Sequence, residues 1–447
     1  MIACLFNHIE VVKILLQRPD LNINKARVND GVTALITAAN KGHAEIVRLL
    51  LSHSDIDTNK AKGSGATALF RASSKGHVKV VRLFVSHSGI DVNKGTHKGK
   101  SSGITPLIVA SSASGQKSSD ENYVEIVRSL LSHSDIDINK AMDNGMTALH
   151  AASNGQDEIV QLLLAKSEID INNPMNNGET ALLLASKLGN AKVVELLLSK
   201  SDEIDINKCD NIIGGTPLYA AATSNHVIIV ELLLAAAAKS GDLDMNKPDK
   251  DGATPLIVAA AQGHVKVVRL LLSNKEIDIN AANSDGATAL YLASQEGHFE
   301  VVELLSGMAI LDINKVVPSS GETALIVASA KGHVKVVQLL LSHKDIDSNI
   351  ARSDGATGLI IASQKGNVEA VRLLLTQSEI DVNKGMDGGG ATALMAASNG
   401  GHVGIVRLLL SKSEIDIAIE YLGVTPLARA KQVGHMDIVK LLEQHND

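Results

Sequence analysis

One pattern recurs along the chain: a threonine, a leucine two residues later and an alanine five residues later. The threonines are Thr33, Thr67, Thr105, Thr147, Thr180, Thr216, Thr254, Thr288, Thr323, Thr357, Thr392 and Thr425. Leucines follow from Leu35 to Leu427 and alanines from Ala38 to Ala430, with twelve matches out of twelve at each position. The commonest spacing between threonines is 34 residues. A period of that size restricts the chain to an array of small units. One such unit cannot bury its own apolar face, whereas stacked neighbours can.

The unit from Thr254 to Ala287 reads as follows. Thr254 suits a helix N-cap, its hydroxyl taking an orphan amide. Pro255 suits the first helical position, where its missing N–H costs nothing. A short first helix of small residues, Ala259 to Ala261, lets neighbouring helices approach closely. Gly263 suits a left-handed cap. A second helix follows, with Val265, Val268, Leu271 and Leu272 at helical spacing. Ile277 and Ile279 then alternate with Asp278 and Asn280, which predicts an extended arm turning at Ser284-Asp285-Gly286. The expected fold is an all-α solenoid of stacked helix–turn–helix units with short β-hairpin-like arms.

These residues resemble the ankyrin repeat, with its T-P-L-H-x-A start, a G-H between helices and an apolar second helix. The resemblance covers essentially the whole chain and departs from the family in two ways. The turn after the second helix, such as Ser52 to Asp57 or Ser411 to Asp416, lacks a glycine. The histidine of T-P-L-H survives only at His150; elsewhere stand apolar residues such as Ile36, Phe70, Leu183 and Tyr219.

Residues 1–24 align as a partial first repeat, which suggests a truncated start or a fragment of a longer array. Residues 94–123 hold two loop insertions in the Thr105 repeat, rich in Ser, Gly and Lys and expected to be flexible. Residues 235–246 are expected to prolong a second helix. Residues 419–447 carry Arg429, Lys431, Glu443 and Gln444 where inner units are small or apolar, as a C-terminal capping repeat would. Otherwise 1–447 reads as a single array.

Aromatic residues are 2% of the chain and Trp is absent, so base-stacking platforms and aromatic cages lack material. The net charge of −7, with basic and acidic residues interspersed, favours neither nucleic acid nor an anionic membrane. Cys4 and Cys209 form no metal-type cluster or disulfide framework, which suits a reduced, intracellular and cytoplasmic setting. The longest apolar runs are too short to span a bilayer.

Three motifs invite chemistry and fail on spacing. Gly95 to Ser101 resembles a phosphate loop with its glycines one residue too close. The segments starting at Asp55, Asp135 and Asp242 open like a calcium loop. They place Lys60, Lys140 and Lys247 where glycine is needed, and Ala66, Met146 and Ala253 where glutamate is needed. Nine histidines, among them His43, His77, His264 and His298, share one slot at the start of the second helix. Stacked helices lie about 8–10 Å apart, too far for two of these to share a zinc held at about 2.1 Å. His53, His87, His133 and His343 close second helices, where a partly protonated imidazole would suit the dipole. No catalytic, cofactor-binding or metal-binding residue is therefore assigned, and no cofactor is expected.

The resemblance implies a concave partner-binding face of arm tips and first helices. Its variable slots include Asn40, Lys41, Ser74, Lys75, Lys187, Gln262, Glu296, Lys331, Lys365 and Asn399. The expected function is a non-enzymatic, monomeric scaffold or adaptor for an unidentified protein partner, without nucleic-acid binding or membrane insertion. The alternative is the repeat portion of a larger enzyme, ubiquitin-ligase adaptor or channel.

Overall fold

The computed structural model describes residues 1–97, 102–112, 120–387 and 390–446. Its architecture is pairs of short helices joined by arms, with 26 helices among the described residues. The chain divides into two bodies, residues 1–221 with 231–243, and residues 222–230 with 244–447.

The recurring positions do what their chemistry dictates. In eleven units the threonine hydroxyl accepts the N–H of the residue three positions on, at 3.1–3.4 Å. This satisfies one orphan donor at the start of each first helix. All twelve alanines from Ala38 to Ala430 are wholly buried, as are the leucines except Leu427. The absence of side-chain bulk there lets first helices pack on one another. Second helices such as Val265–Leu272 bury one stripe, Val267, Val268 and Leu271, and leave Lys266 and Arg269 exposed.

Two side chains tie each unit to its neighbours. The asparagine of the D-x-D-x-N segment reaches the following unit. Its Nδ2 donates to a backbone carbonyl there at 2.5–2.8 Å, from Asn24, Asn59, Asn93, Asn139, Asn172 and Asn207 in the first body and Asn246, Asn280, Asn314, Asn349 and Asn383 in the second. In ten of these the Oδ1 also accepts an N–H two residues beyond that carbonyl, at 2.7–3.0 Å. The second aspartate of each segment holds the turn, as Asp278 Oδ1 does by accepting the N–H of Asn280. These carboxylates and amides serve the backbone, which accounts for the calcium-like spelling. The segment is thus a turn with Ile277 and Ile279 buried, and the arm proper begins after it. Arms close through bonds such as Asn283 N–H to Ala287 O, with isolated bridges in place of strands among the described residues.

The histidine that opens the second helix reaches backward. Its Nε2 meets a carbonyl at the end of the preceding unit's first helix: His77 to Asn40, His298 to Ala261 and His333 to Gln295. Asn190 and Asn367 donate from the same slot to Ser153 and Ser329. The glycine before it belongs to the same contact. A Cβ on Gly263 would sit 2.7 Å from His298 Nδ1, and its φ of +72° also disfavours any side chain.

Several sequence expectations change. The histidines closing second helices also serve the backbone: His53, His133 and His343 accept the N–H of the residue two on at their Nδ1. His87 instead directs Nε2 to Leu51 O. The Nδ1 bond is the device of these three turns without glycine, whereas the His87 turn contains Gly89 at φ 77°. The loop insertion at 111–123 is helical from Asp120, because Tyr123 and Val124 are buried and the Tyr123 hydroxyl donates to Ser74 O at 3.4 Å. Residues 98–101 and 113–119 of the two insertions lie outside the described residues. The expected lengthening at 235–246 is a helix spanning Val227–Ser240.

His150 is the one T-P-L-H histidine. Its Nδ1 lies 2.8 Å from Thr147 Oγ1 and its Nε2 3.1 Å from Glu179 O in the next unit. Burial pushes the imidazole below its ordinary pKa, so the folded chain holds it neutral. The unfolded chain then binds the proton first as pH falls. The stability this group contributes is complete above about pH 6.5 and is lost progressively below it. Urea midpoints measured from neutral pH to pH 5 should therefore fall less steeply for His150→Leu, which copies Leu183 in the same slot, than for the wild type.

A second consequence lies in the first helices. Ser73, Ser111, Ser186, Ser294, Ser329, Ser363 and Ser398 are fully buried with no hydrogen-bond partner for the hydroxyl among the described residues. Ala39, Ala222 and Ala260 fill the same slot in other units. Ser294→Ala should raise thermal stability by about 1 kcal/mol, because it removes an uncompensated buried hydroxyl.

Leu271→Ala should cost about 2–5 kcal/mol. Because unit and nearest-neighbour terms add, hydrogen exchange should show protection lost around residues 254–287 before distant units open. Uniform loss from residue 33 to 440 would contradict the nearest-neighbour account.

Candidate partner-binding face

The side where arm tips and the ends of first helices are exposed carries the residues that differ most between units. Lys41, Lys75, Lys187, Gln262, Glu296, Lys331, Lys365 and Asn399 are exposed, whereas Asn40 and Ser74 are half-buried. Some are tied to the scaffold. Asn40 Oδ1 accepts from Arg71 Nε at 2.9 Å, and its carbonyl takes the His77 bond. Ser74 presents its carbonyl to Tyr123. Lys187 pairs with the largely buried Glu179 at 2.9 Å. Gln262 Oε1 lies 3.1 Å from His264 Nε2, and Glu296 Oε1 accepts from Gln295 at 3.0 Å. The remaining lysines project without ion pairs among the described residues.

Three clusters on this face escape the sequence pattern. In the first body, Asp210 organises the arm tip from a buried position. Its Oδ1 accepts the N–H of Ile212 and Ile213 at 2.7 and 2.8 Å, and its Oδ2 that of Gly215 at 3.1 Å. This loop pushes the two isoleucines into solvent, 66% and 50% exposed. The signal was two adjacent β-branched residues where every other arm but the last, with Tyr421 and Leu422, holds Ser, Asn, Asp, Gly or Lys.

Also in the first body, Arg27 and Asp30 pair across an arm through two bonds. The guanidinium holds the Asp30 carboxyl down at about 2. In the second body, the Tyr291 hydroxyl donates to Glu322 Oε2 at 2.7 Å. Arg352 Nη1 meets Glu322 Oε1 at 3.2 Å, so one carboxylate ties a first helix to two successive arms. Burial and the Glu322 carboxylate raise the tyrosine pKa, which keeps its proton in this bond.

Among the described residues no three His, Cys, Asp or Glu side chains are grouped to hold a metal, and no helix is long and apolar enough to cross a membrane. The geometry offers hydrogen bonds, charges and exposed apolar arm residues such as Val28, Ile212, Ile213 and Leu422.

A family model of ankyrin repeats in three copies matches residues 1–96, 93–175, 167–244, 238–316, 308–386 and 379–447. No curated protein matches the chain. With its repeated threonine caps, G-H pairs and inter-unit asparagines, and with family matches from end to end, the chain belongs to the ankyrin repeats, which are in general protein–protein interaction modules.

Proposed function

We propose that the chain is a non-enzymatic scaffold or adaptor that holds a protein partner against its arm tips and first helices. The observation that carries this reading is the contrast between slots. Caps, alanines and ladder asparagines repeat from unit to unit, while the arm-tip slot three residues before each threonine varies through Ser64, Asn144, Ile213, Asp251, Ser320 and Leu422. The fold does not require that variety, and exposed side chains without a scaffold role are free to recognise something else. Ile212 and Ile213 are the natural apolar anchor, ringed by polar arms. The buried Cys4 and half-buried Cys209 are free thiols, which favours a reducing, cytoplasmic setting for a monomer of this kind.

Affinity capture with the full chain tests the reading. The double variant Ile212→Asp with Ile213→Asp, or Lys331→Glu with Lys365→Glu, should weaken recovery of a specific partner about tenfold. Lys266→Glu with Lys335→Glu, on exposed faces of second helices, should leave it unchanged. Loss of the partner with the second-helix variant alone would place recognition elsewhere and sink the proposal.

A further inference from the structure

We infer that the first-helix and arm face around Arg71 is a docking site for an acidic peptide segment of a protein partner, one that presents a glutamate or aspartate beside an apolar residue. The inference deepens the scaffold reading and rests on it.

Arg71 is out of place for the fold. It stands four residues after Thr67, a slot that holds Val109, Ala151, Leu184, Ala220, Val258 and other uncharged residues in every unit but the last. Packing therefore does not call for an arginine there. The side chain is half-buried, and its Nε is fixed by Asn40 Oδ1 at 2.9 Å. That bond leaves the outer guanidinium nitrogens to meet a ligand. They line an open cavity of about 340 Å³ together with Lys41, Lys62, Arg27 and Asp30.

The charge in this cavity is unbalanced. Its single carboxylate, Asp30, is taken by Arg27 through both oxygens and stays ionised. Lys41, Lys62 and Arg71 make no ion pair among the described residues. Four cationic side chains, Arg27, Lys41, Lys62 and Arg71, thus share one concavity with a single carboxylate, on a chain whose net charge is −7. In the second body the Arg71 slot holds Val258, Leu292, Val327, Ile361 and Ala396 before Arg429 of the last unit, so lysines in the Lys41 slot, such as Lys331 and Lys365, have no arginine of this kind beside them. The exposed Ile2 and the half-buried Val32 supply an apolar wall.

Such a cavity matches a carboxylate by charge and a neighbouring apolar side chain by contact, and Arg71 can grip the carboxylate with paired N–H groups. Nucleic acid fits less well. So few cations track too little of a phosphate backbone, and the cavity lining offers no aromatic face for a base.

The test is fluorescence anisotropy of the full chain with a short labelled peptide alternating glutamate with leucine. Binding should weaken about tenfold between low and moderate salt, and about tenfold or more in Arg71→Ala with Lys62→Ser. Alanine occupies the Arg71 slot at Ala151, Ala220 and Ala396, so the variant should retain its helical circular dichroism. Should it not fold, Lys41→Ser alone, at a fully exposed position, should still weaken binding measurably. The charge-matched Lys266→Ser with Lys335→Ser should bind as the wild type does.

Equal binding of a peptide with glutamine for glutamate would overturn the inference. So would tighter binding to phosphatidylserine vesicles or to single-stranded RNA than to the peptide. If the Ile212 and Ile213 variant loses its captured partner while Arg71→Ala with Lys62→Ser binds the glutamate peptide undiminished, the scaffold reading stands and the acidic docking site falls.

Discussion

The asparagine that links each unit to the next is the interaction on which the array turns. A turn between helices exposes backbone groups that no helix can satisfy, and leaving them unpaired costs free energy. Asn280 meets two of them at once, donating to Ile310 O and accepting from Asp312 N–H. A single bond of this kind is worth about 0.5–1.5 kcal/mol net. Its larger effect is geometric. Because one amide engages a donor and an acceptor two residues apart, it fixes both the distance and the register between neighbours. The alanine-lined packing of first helices then falls into place with no side chain to adjust it.

Much of this was legible in the sequence, and the boundary is physical. Thr254, Pro255, Leu256 and Ala259 act within their own helix, so local rules of capping and periodicity identify them. Asn280 and His298 act on residues about a full unit away: Asn280 reaches Ile310, and His298 reaches back to Ala261. Local pattern alone reads the first as part of an extended arm and the second as a helix opener. The recurrence of both at one slot per unit was the available clue, since a polar residue fixed in every unit needs a partner that every unit supplies. Tyr123 is a different case. Its surroundings are rich in Ser and Lys, which reads as loop, but one buried aromatic ring was enough to extend the helix backward to Asp120.

The candidate face was legible as a location and not as chemistry. Counting from each threonine found exposed positions such as Lys331 and Asn399. It passed over Ile212 and Ile213, because their exposure depends on three backbone bonds to the Asp210 carboxylate. It also passed over Arg71, whose significance appears only when the same slot is compared across units and the nearby Asp30 is seen to be occupied by Arg27. The residues proposed for recognition sit where a unit departs from its siblings, and departures carry no pattern of their own.

The two clasps point in opposite directions along the chain, asparagine forward and, in most units, histidine or asparagine backward, and both engage backbone carbonyls and amides that recur from unit to unit. A unit lifted out of the middle would leave behind an asparagine and a histidine that still find their partners on the units now brought together. The bonds are indifferent to which copy answers them. Length is thereby separated from stability: units can be duplicated, lost or reordered with the joints intact, while each exchange deals a new sequence of arm tips to the surface. An array joined this way can change the surface it presents by shuffling whole pages, without rewriting the contacts that hold them together.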